Sequence, residues 1–345
     1  LALALAVGLP MMTLLPAILV SIFLCGIKSL LLILISVVST VLIEKIITAV
    51  FLKKEKNSIK DFSAVVTGII FSLTLPVFVP YYFAIFGGAC AVIFGKMLYG
   101  GLGKNLYNPA VVGKFFVLIF FEKVFLKFKF SNTNFQILDL KLFRNFLDSS
   151  FTRFLDGLIL SRSNSIGTFS GMALIFGGIY LVIKKRISPS TPLSFFLSSI
   201  ILSFFVPEIS KIPIGEILLV GIFMVADMPT TPVFLIGKIY FGMMLALVSS
   251  ILLSQKVQNE VLFYAIIILN SFTLLINKVL RPVTFGKNLK IEAIKQFLQL
   301  IVLTFLIVAA TIILINLYNF GLFKYLIYGY SIIMIITAFI FLKND

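Results

Sequence analysis

Long apolar runs follow one another along almost the whole chain, and they constrain its fold more than any other feature. A hydrocarbon core of roughly 30 Å is crossed by about 20 helical residues. The runs do not alternate apolar and polar residues as barrel strands would, so they predict an all-α integral membrane protein. About twelve can be drawn, at 7–27, 29–51, 63–79, 81–99, 109–121, 166–183, 192–206, 213–226, 236–254, 260–278, 298–317 and 325–342.

Charge is sparse and is distributed as in a membrane protein. Charged residues make up 12% of the 345 residues, against 60% hydrophobic ones, and the formal net charge is +16. The basic residues concentrate at 53–60, 184–186 and 278–295, which all face one side if the runs cross in turn. This bias predicts a multi-pass protein with both termini in the cytoplasm, with lipid and not nucleic acid as its surroundings.

Histidine is absent, which removes imidazole metal ligands and histidine-based nucleophile machinery, so we predict no catalytic residue and no metal site.

Residues 122–165 form a long basic loop that this topology places outside. Either long loops translocate regardless of charge, or this loop faces an anionic group. Within it, Ser149, Ser150 and Thr152 precede Arg153, and hydroxyls beside a cation are a reasonable place to hold a phosphate.

Two polar breaks interrupt the apolar pattern, at GGLGKNLYNPA (100–110) and at ADMPTTP (226–232). Unwound backbone within a membrane is tolerated where it is buried in protein or lines a cavity, so both breaks predict an interior site. Paired breaks in two halves are typical of inverted-repeat membrane folds. Asn105 and Asn108 could bind the edge of a planar heterocycle, or could simply cap the helix that begins at Pro109.

Two carboxylates lie within or beside apolar runs. Asp227 is a candidate for an ion or proton pathway, with capping of a half-helix as the alternative. Glu44 is a second candidate, but its neighbour Lys45 makes a local ion pair or snorkelling an equal alternative.

At these residues the chain resembles the RnfD component of the Rnf electron-transport complex and its relative, the NqrB component of the sodium-pumping NADH:quinone reductase. The resemblance covers about residues 10 to 286. It is carried by MMTLLPAI, DFSAVVTGIIFSLTLP, KMLYGGLGKNLYNPA, SIGTFSGMALIFGG, FMVADMPTTP and FYAIIILNSFTLLINKVLRPVTFG.

The resemblance implies a fold of about ten transmembrane helices in two inverted, related halves, similar to urea transporters, in a bacterial cytoplasmic membrane. It also implies FMN joined through its phosphate to a threonine of the outer loop, for which Thr152 is the aligned candidate with Arg153 beside it. Riboflavin is implied near the Asn-Pro-Ala region, where Asn105 and Asn108 lie. The partners implied are the other subunits of an ion-translocating electron-transport complex.

Three departures from the family pattern stand out. The attachment motif Ser-Gly-Ala-Thr has Ser150 and Phe151 at its centre, which stiffens the site and predicts less efficient FMN attachment or none. Ile166-Gly167-Thr168 replaces Ile-Gly-Glu. Residues 298–342 form a C-terminal transmembrane extension beyond the family domain at 1–286.

The leading hypothesis is therefore a flavin-carrying subunit of a redox-driven Na⁺ or H⁺ translocase that connects ferredoxin with NAD. The Rnf type is favoured because the long N-terminal extension of the quinone reductase component is missing, although the chain opens on Leu1 and its start is interpreted as truncated. Two alternatives stay open: a channel or secondary transporter for a small polar solute or cation, and an assembly scaffold.

Overall fold

The structure, a computed structural model, describes residues 2–50, 62–101, 103–125, 150–160, 165–255, 260–283 and 289–344. These ranges are helical and contain no strand; Pro76 and Ser165 form an isolated antiparallel bridge. The helices, labelled α1 to α13 in chain order, are Ala2–Cys25, Ile27–Val50, Ser63–Leu73, Tyr81–Gly95, Pro109–Phe120, Ser150–Ile159, Gly171–Ile183, Ser190–Ser203, Ile214–Leu219 (continued by a π-helical turn, Val220–Met224), Leu235–Ser254, Val261–Val279, Leu289–Asn319 and Phe323–Asn344.

The all-α prediction is confirmed, and every predicted apolar run contains a helix. In the described ranges, five helices are long and apolar enough to cross a membrane: Ile27–Ala49, Tyr81–Tyr99, Leu235–Ser254, Val261–Val279 and Ile291–Asn319. The shorter apolar helices have 10–17 residues, a length of about 15 to 25 Å, which is less than a hydrocarbon core. The run at 63–79 shows why, because α3 ends at Leu73 and the chain turns before Pro76.

The chain divides into two compact units. The first comprises Leu1–Ile187 and Ile212–Met224, and therefore contains α1 to α7 and α9. In it α2 packs against α3 and α4, and α4 packs against α5. A Cβ at Gly113 would lie 2.5 Å from the carbonyl oxygen of Gly87, so only glycine permits this approach of α4 and α5.

The second unit comprises Ser188–Lys211 and Val225–Asp345, and therefore contains α8 and α10 to α13. Helix α8 crosses α10 closely at Gly242, where a Cβ would lie 2.6 Å from the carbonyl oxygen of Thr191. Helix α12 packs against α10 and α11, and α13 packs against α12. The C-terminal extension is thus built onto the second unit.

Candidate functional site

The glycine-rich break belongs to the first unit and begins where α4 ends. Gly100, Gly101 and Gly103 have φ values of 98°, 95° and 80°, in the left-handed region that favours glycine. The Gly101 amide donates to the carbonyl oxygen of Lys96 at 3.2 Å. The sequence GGLG is therefore needed for the path of the backbone between α4 and α5.

The two asparagines of this break have different environments. Asn108 is the N-cap of α5: its side-chain oxygen accepts from the amides of Ala110 at 3.0 Å and Val111 at 3.4 Å. Its Nδ2 donates to the carbonyl oxygen of Met224 at 3.3 Å. Asn105 is also buried, but its Oδ1 has no hydrogen-bond partner within the described ranges. Capping explains the hydrogen bonds that the Asn108 side-chain oxygen accepts. The buried side-chain oxygen of Asn105 has no donor within the described ranges, and a ligand could supply one.

A buried ion pair stands beside the start of the same break. Lys96 Nζ contacts both carboxylate oxygens of Glu44, at 2.7 and 2.8 Å, and also donates to the hydroxyl of Ser63. Lys96 and Glu44 are each 2% exposed, while the neighbouring Lys45 is exposed. Glu44 therefore forms its ion pair with Lys96, 52 positions away, and not with the adjacent Lys45. Through Lys96 and its hydrogen bond to Ser63, the pair connects α2, α3 and the end of α4.

The second break belongs to the second unit and is a tight turn around Asp227. The backbone carbonyl of Asp227 accepts from the amides of Thr230 and Thr231, at 3.3 and 3.2 Å, and from the Thr231 hydroxyl at 2.9 Å. The Thr230 hydroxyl donates to the Asp227 carboxylate at 3.2 Å. Asp227 thus closes a turn and does not cap a helix, because α10 begins eight residues later, at Leu235.

One face of α11 holds this turn in place. The Thr273 hydroxyl donates to the carbonyl oxygen of Thr230 at 3.0 Å, and Asn277 Oδ1 accepts from the amide of Val233 at 2.9 Å. The Thr230 and Thr231 side chains are buried, as predicted for an interior break, but Met228 is 61% exposed. The turn therefore has a buried hydroxyl side and an exposed side.

The expected flavin ester position lies on α6. Thr152 and Arg153 belong to the helix Ser150–Ile159. Their side-chain environments, together with Ser149 and most of the basic loop, lie outside the described residues. Thr152 therefore stays a prediction of the sequence.

Sequence reasoning missed two buried lysines. Lys96 lies within the motif KMLYGGLGKNLYNPA, but the motif does not indicate that its partner is Glu44, and Lys114 of α5 lies outside every motif. Both lie in apolar runs, where an ionisable side chain is itself a signal of function. Considering every intramembrane charge, and not the carboxylates alone, would have found them.

Comparison with known proteins agrees with the resemblance. The model of the NQR2, RnfD, RnfE family matches residues 6–286. The D component of the proton-translocating ferredoxin:NAD(+) oxidoreductase complex of Clostridium ljungdahlii is 28% identical over 296 residues, covering 79% of this chain and 88% of the relative. The D component of the Na(+)-translocating ferredoxin:NAD(+) oxidoreductase complex of Acetobacterium woodii is 29% identical over 282 residues, covering 79% and 87%. The D component of an ion-translocating oxidoreductase complex from Buchnera aphidicola is 24% identical, covering 79% and 93%.

Proposed function

The chain belongs to the NQR2, RnfD, RnfE family, and we propose that it is the flavin-carrying membrane subunit of an Rnf-type electron-transport complex. Such a complex passes electrons between ferredoxin and NAD and couples the transfer to ion translocation, as the names of the relatives describe for those proteins. The subunit has no activity of its own in this proposal. It holds redox groups in the membrane between its partner subunits.

The flavin part of the proposal depends on Asn105, whose side chain is buried and whose Oδ1 accepts no hydrogen bond within the described ranges. A buried acceptor without a donor is unfavourable by about 1 to 3 kcal/mol, and a flavin ring presents an imide N–H that can donate to it. A Cβ built at Gly101 or Gly103 would meet nothing within 4 Å, so the backbone there is open to a flat ring. A bound flavin supplies one- and two-electron redox chemistry, and Asn105 orients it.

Thr152 is the proposed site for a second, covalently attached flavin, joined as a phosphoester of its hydroxyl. Arg153 follows it directly, and a guanidinium stabilises a phosphate by charge-assisted hydrogen bonds. The loop at 122–165 contains four lysines and three arginines against four carboxylates, and this excess of positive charge favours an anionic group there.

The proposal also includes an arrangement in the membrane. The family domain has about ten helices in total, divided between two inverted halves, and lies in the bacterial cytoplasmic membrane. Both termini are in the cytoplasm. Helices α12 and α13 are an addition to the family domain. Asp227 and Glu44 are the ion-pathway candidates. Of these Asp227 is the stronger, because the carboxylate of Glu44 is already held by Lys96. One relative is named for protons and another for Na⁺, so membership alone favours neither ion.

The covalent site is tested by producing the chain with its flavin-attaching enzyme and viewing a denaturing gel under ultraviolet light. We expect a fluorescent band in the wild type and in Ser150→Ala, which removes a neighbouring hydroxyl, and no band in Thr152→Ala. A wild-type band without fluorescence would contradict the assignment of Thr152.

The non-covalent site is tested by extracting flavin with acid from the purified chain. We expect Asn105→Ala to lose most of the extractable flavin. Asn270→Ala is the matched control, because Asn270 is another buried asparagine without a hydrogen-bond partner in the described ranges, and it belongs to the second unit. Equal flavin in both variants and the wild type would refute the role of Asn105.

Solute flux through a flavin-free chain in liposomes would favour the channel alternative.

A further inference from the structure

Lys114 is a fully buried cation that the proposed function does not use. It lies in α5 with 0% of its side chain exposed, and its Nζ donates to the carbonyl oxygen of Thr74 at 2.6 Å. Thr74 is the C-cap of α3, the short helix that ends inside the first unit. We propose that Lys114 is a tethered cation that fills a monovalent-cation site at the C-terminal end of α3.

The end of α3 has the chemistry of a cation site. The last carbonyls of a helix carry partial negative charge, and interrupted membrane helices commonly bind Na⁺ at such ends. The Lys114 ammonium also lies 4.4 Å from the centroid of the Phe125 ring, whose face attracts cations. Thr74 is 1% exposed, so water does not reach this carbonyl readily.

Most other carbonyls around this turn already have donors. The Thr74 hydroxyl and amide both donate to Phe71, and the amide of Ile166 donates to Leu75 at 2.9 Å. Further hydrogen bonds within the chain are accepted by the carbonyls of Ile69, Ser72 and Pro76. The Thr74 carbonyl instead receives the ammonium of a different helix. A lysine there satisfies the carbonyl and supplies the charge that a free ion would otherwise bring.

The position of Lys114 is fixed by the packing of α5. Gly113, its neighbour in sequence, lies against the backbone of Gly87, and Val112 and Phe115 are buried as well. The side chain therefore has little freedom to leave the site, and a free ion cannot replace it. The consequence is that Lys114 keeps this end of α3 closed to free cations.

The inference does not rest on flavin binding, and it is tested with the full chain by thermal unfolding in detergent. Lys114→Ala is produced, purified and heated in chlorides of ethylammonium, Na⁺ or choline at matched ionic strength. We expect its apparent Tm in choline to fall below that of the wild type by roughly 3 to 10 °C, because the Thr74 carbonyl is left buried without a donor. Ethylammonium or Na⁺ should restore at least half of this difference, whereas choline has no N–H and is too large to enter.

Two further variants control the experiment. Lys114→Met fills the space with an apolar chain, so its Tm deficit should be the same in all three salts. Lys28→Ala removes another lysine that donates to a carbonyl, that of Phe78 at 3.2 Å, but from a half-buried position, so its Tm should show no rescue. The proposal is overturned if Lys114→Ala has the same deficit in every salt, if it folds in none of them, or if either control variant is rescued equally.

Discussion

The buried pair of Glu44 and Lys96 makes a sharp prediction about stability. Glu44→Gln keeps the size of the side chain but removes its charge, so Lys96 remains as a cation that is 2% exposed and has lost its counter-ion. Removing one partner of a buried pair is destabilising by about 3 to 5 kcal/mol. At about 2 to 4 °C per kcal/mol, the apparent Tm should fall by roughly 6 to 20 °C.

The assay is the fraction of a fluorescent-protein fusion that remains monodisperse by size exclusion after heating in detergent. Lys45→Gln is the matched control, because Lys45 adjoins Glu44 in sequence but is exposed, and it should change stability by less than about 0.5 kcal/mol. The double variant Glu44→Leu/Lys96→Met removes both charges together and should recover most of the lost stability. If the pair only holds the glycine-rich break, this double variant retains ion translocation in the assembled complex, whereas loss of translocation would assign Glu44 to the ion pathway.

Two results would refute this reasoning. One is a Glu44→Gln variant no less stable than Lys45→Gln, which would mean that the charges do not depend on each other. The other is a double variant as unstable as Glu44→Gln, because the double variant no longer buries an unpaired charge and should therefore recover stability.

Three further predictions concern the same thermal assay. Asn108→Ala should lower stability by about 0.5 to 2 kcal/mol, because α5 loses its N-cap; an unchanged Tm would contradict the capping role. Gly242→Ala should destabilise by more than about 1 kcal/mol, since its Cβ would lie 2.6 Å from the Thr191 carbonyl oxygen, and a neutral result would mean that the two helices are farther apart. Thr273→Val should destabilise by about 1 kcal/mol or more by leaving the Thr230 carbonyl without this donor, whereas Thr273→Ser should not.

The helices and the two breaks could be predicted from the sequence because both are local properties. Apolar runs specify helices wherever lipid is the solvent, and the run of glycines ending in Asn108 and Pro109 stops one helix and starts the next. The apolar run at 63–79 is longer than α3, because the apolar residues continue to 79 while the helix ends at Leu73. Hydrophobicity alone does not show where an apolar segment leaves the helix.

The environment of the candidate residues could not be predicted in the same way. Asn105 and Asn108 look equivalent in sequence, yet Asn108 caps a helix, whereas the side-chain oxygen of Asn105 accepts no hydrogen bond within the described ranges. The pairing of Glu44 with Lys96 joins positions 52 apart and depends on how three helices pack. A sequence contains both charges but not the distance between them, so the sequence alone favours the adjacent Lys45 as the partner of Glu44.

The central claim is that this chain carries flavin for electron transfer, and its most direct test is the flavin content of the isolated wild-type chain. The chain is produced with its flavin-attaching enzyme, precipitated with acid, and analysed for flavin in the supernatant and in the pellet. We predict about one extractable flavin per chain, together with a smaller amount of acid-precipitable flavin, because Ser150 and Phe151 make attachment less efficient. The acid-precipitable flavin should disappear in Thr152→Ala. A chain that is folded and pure but holds no flavin in either fraction would contradict the account.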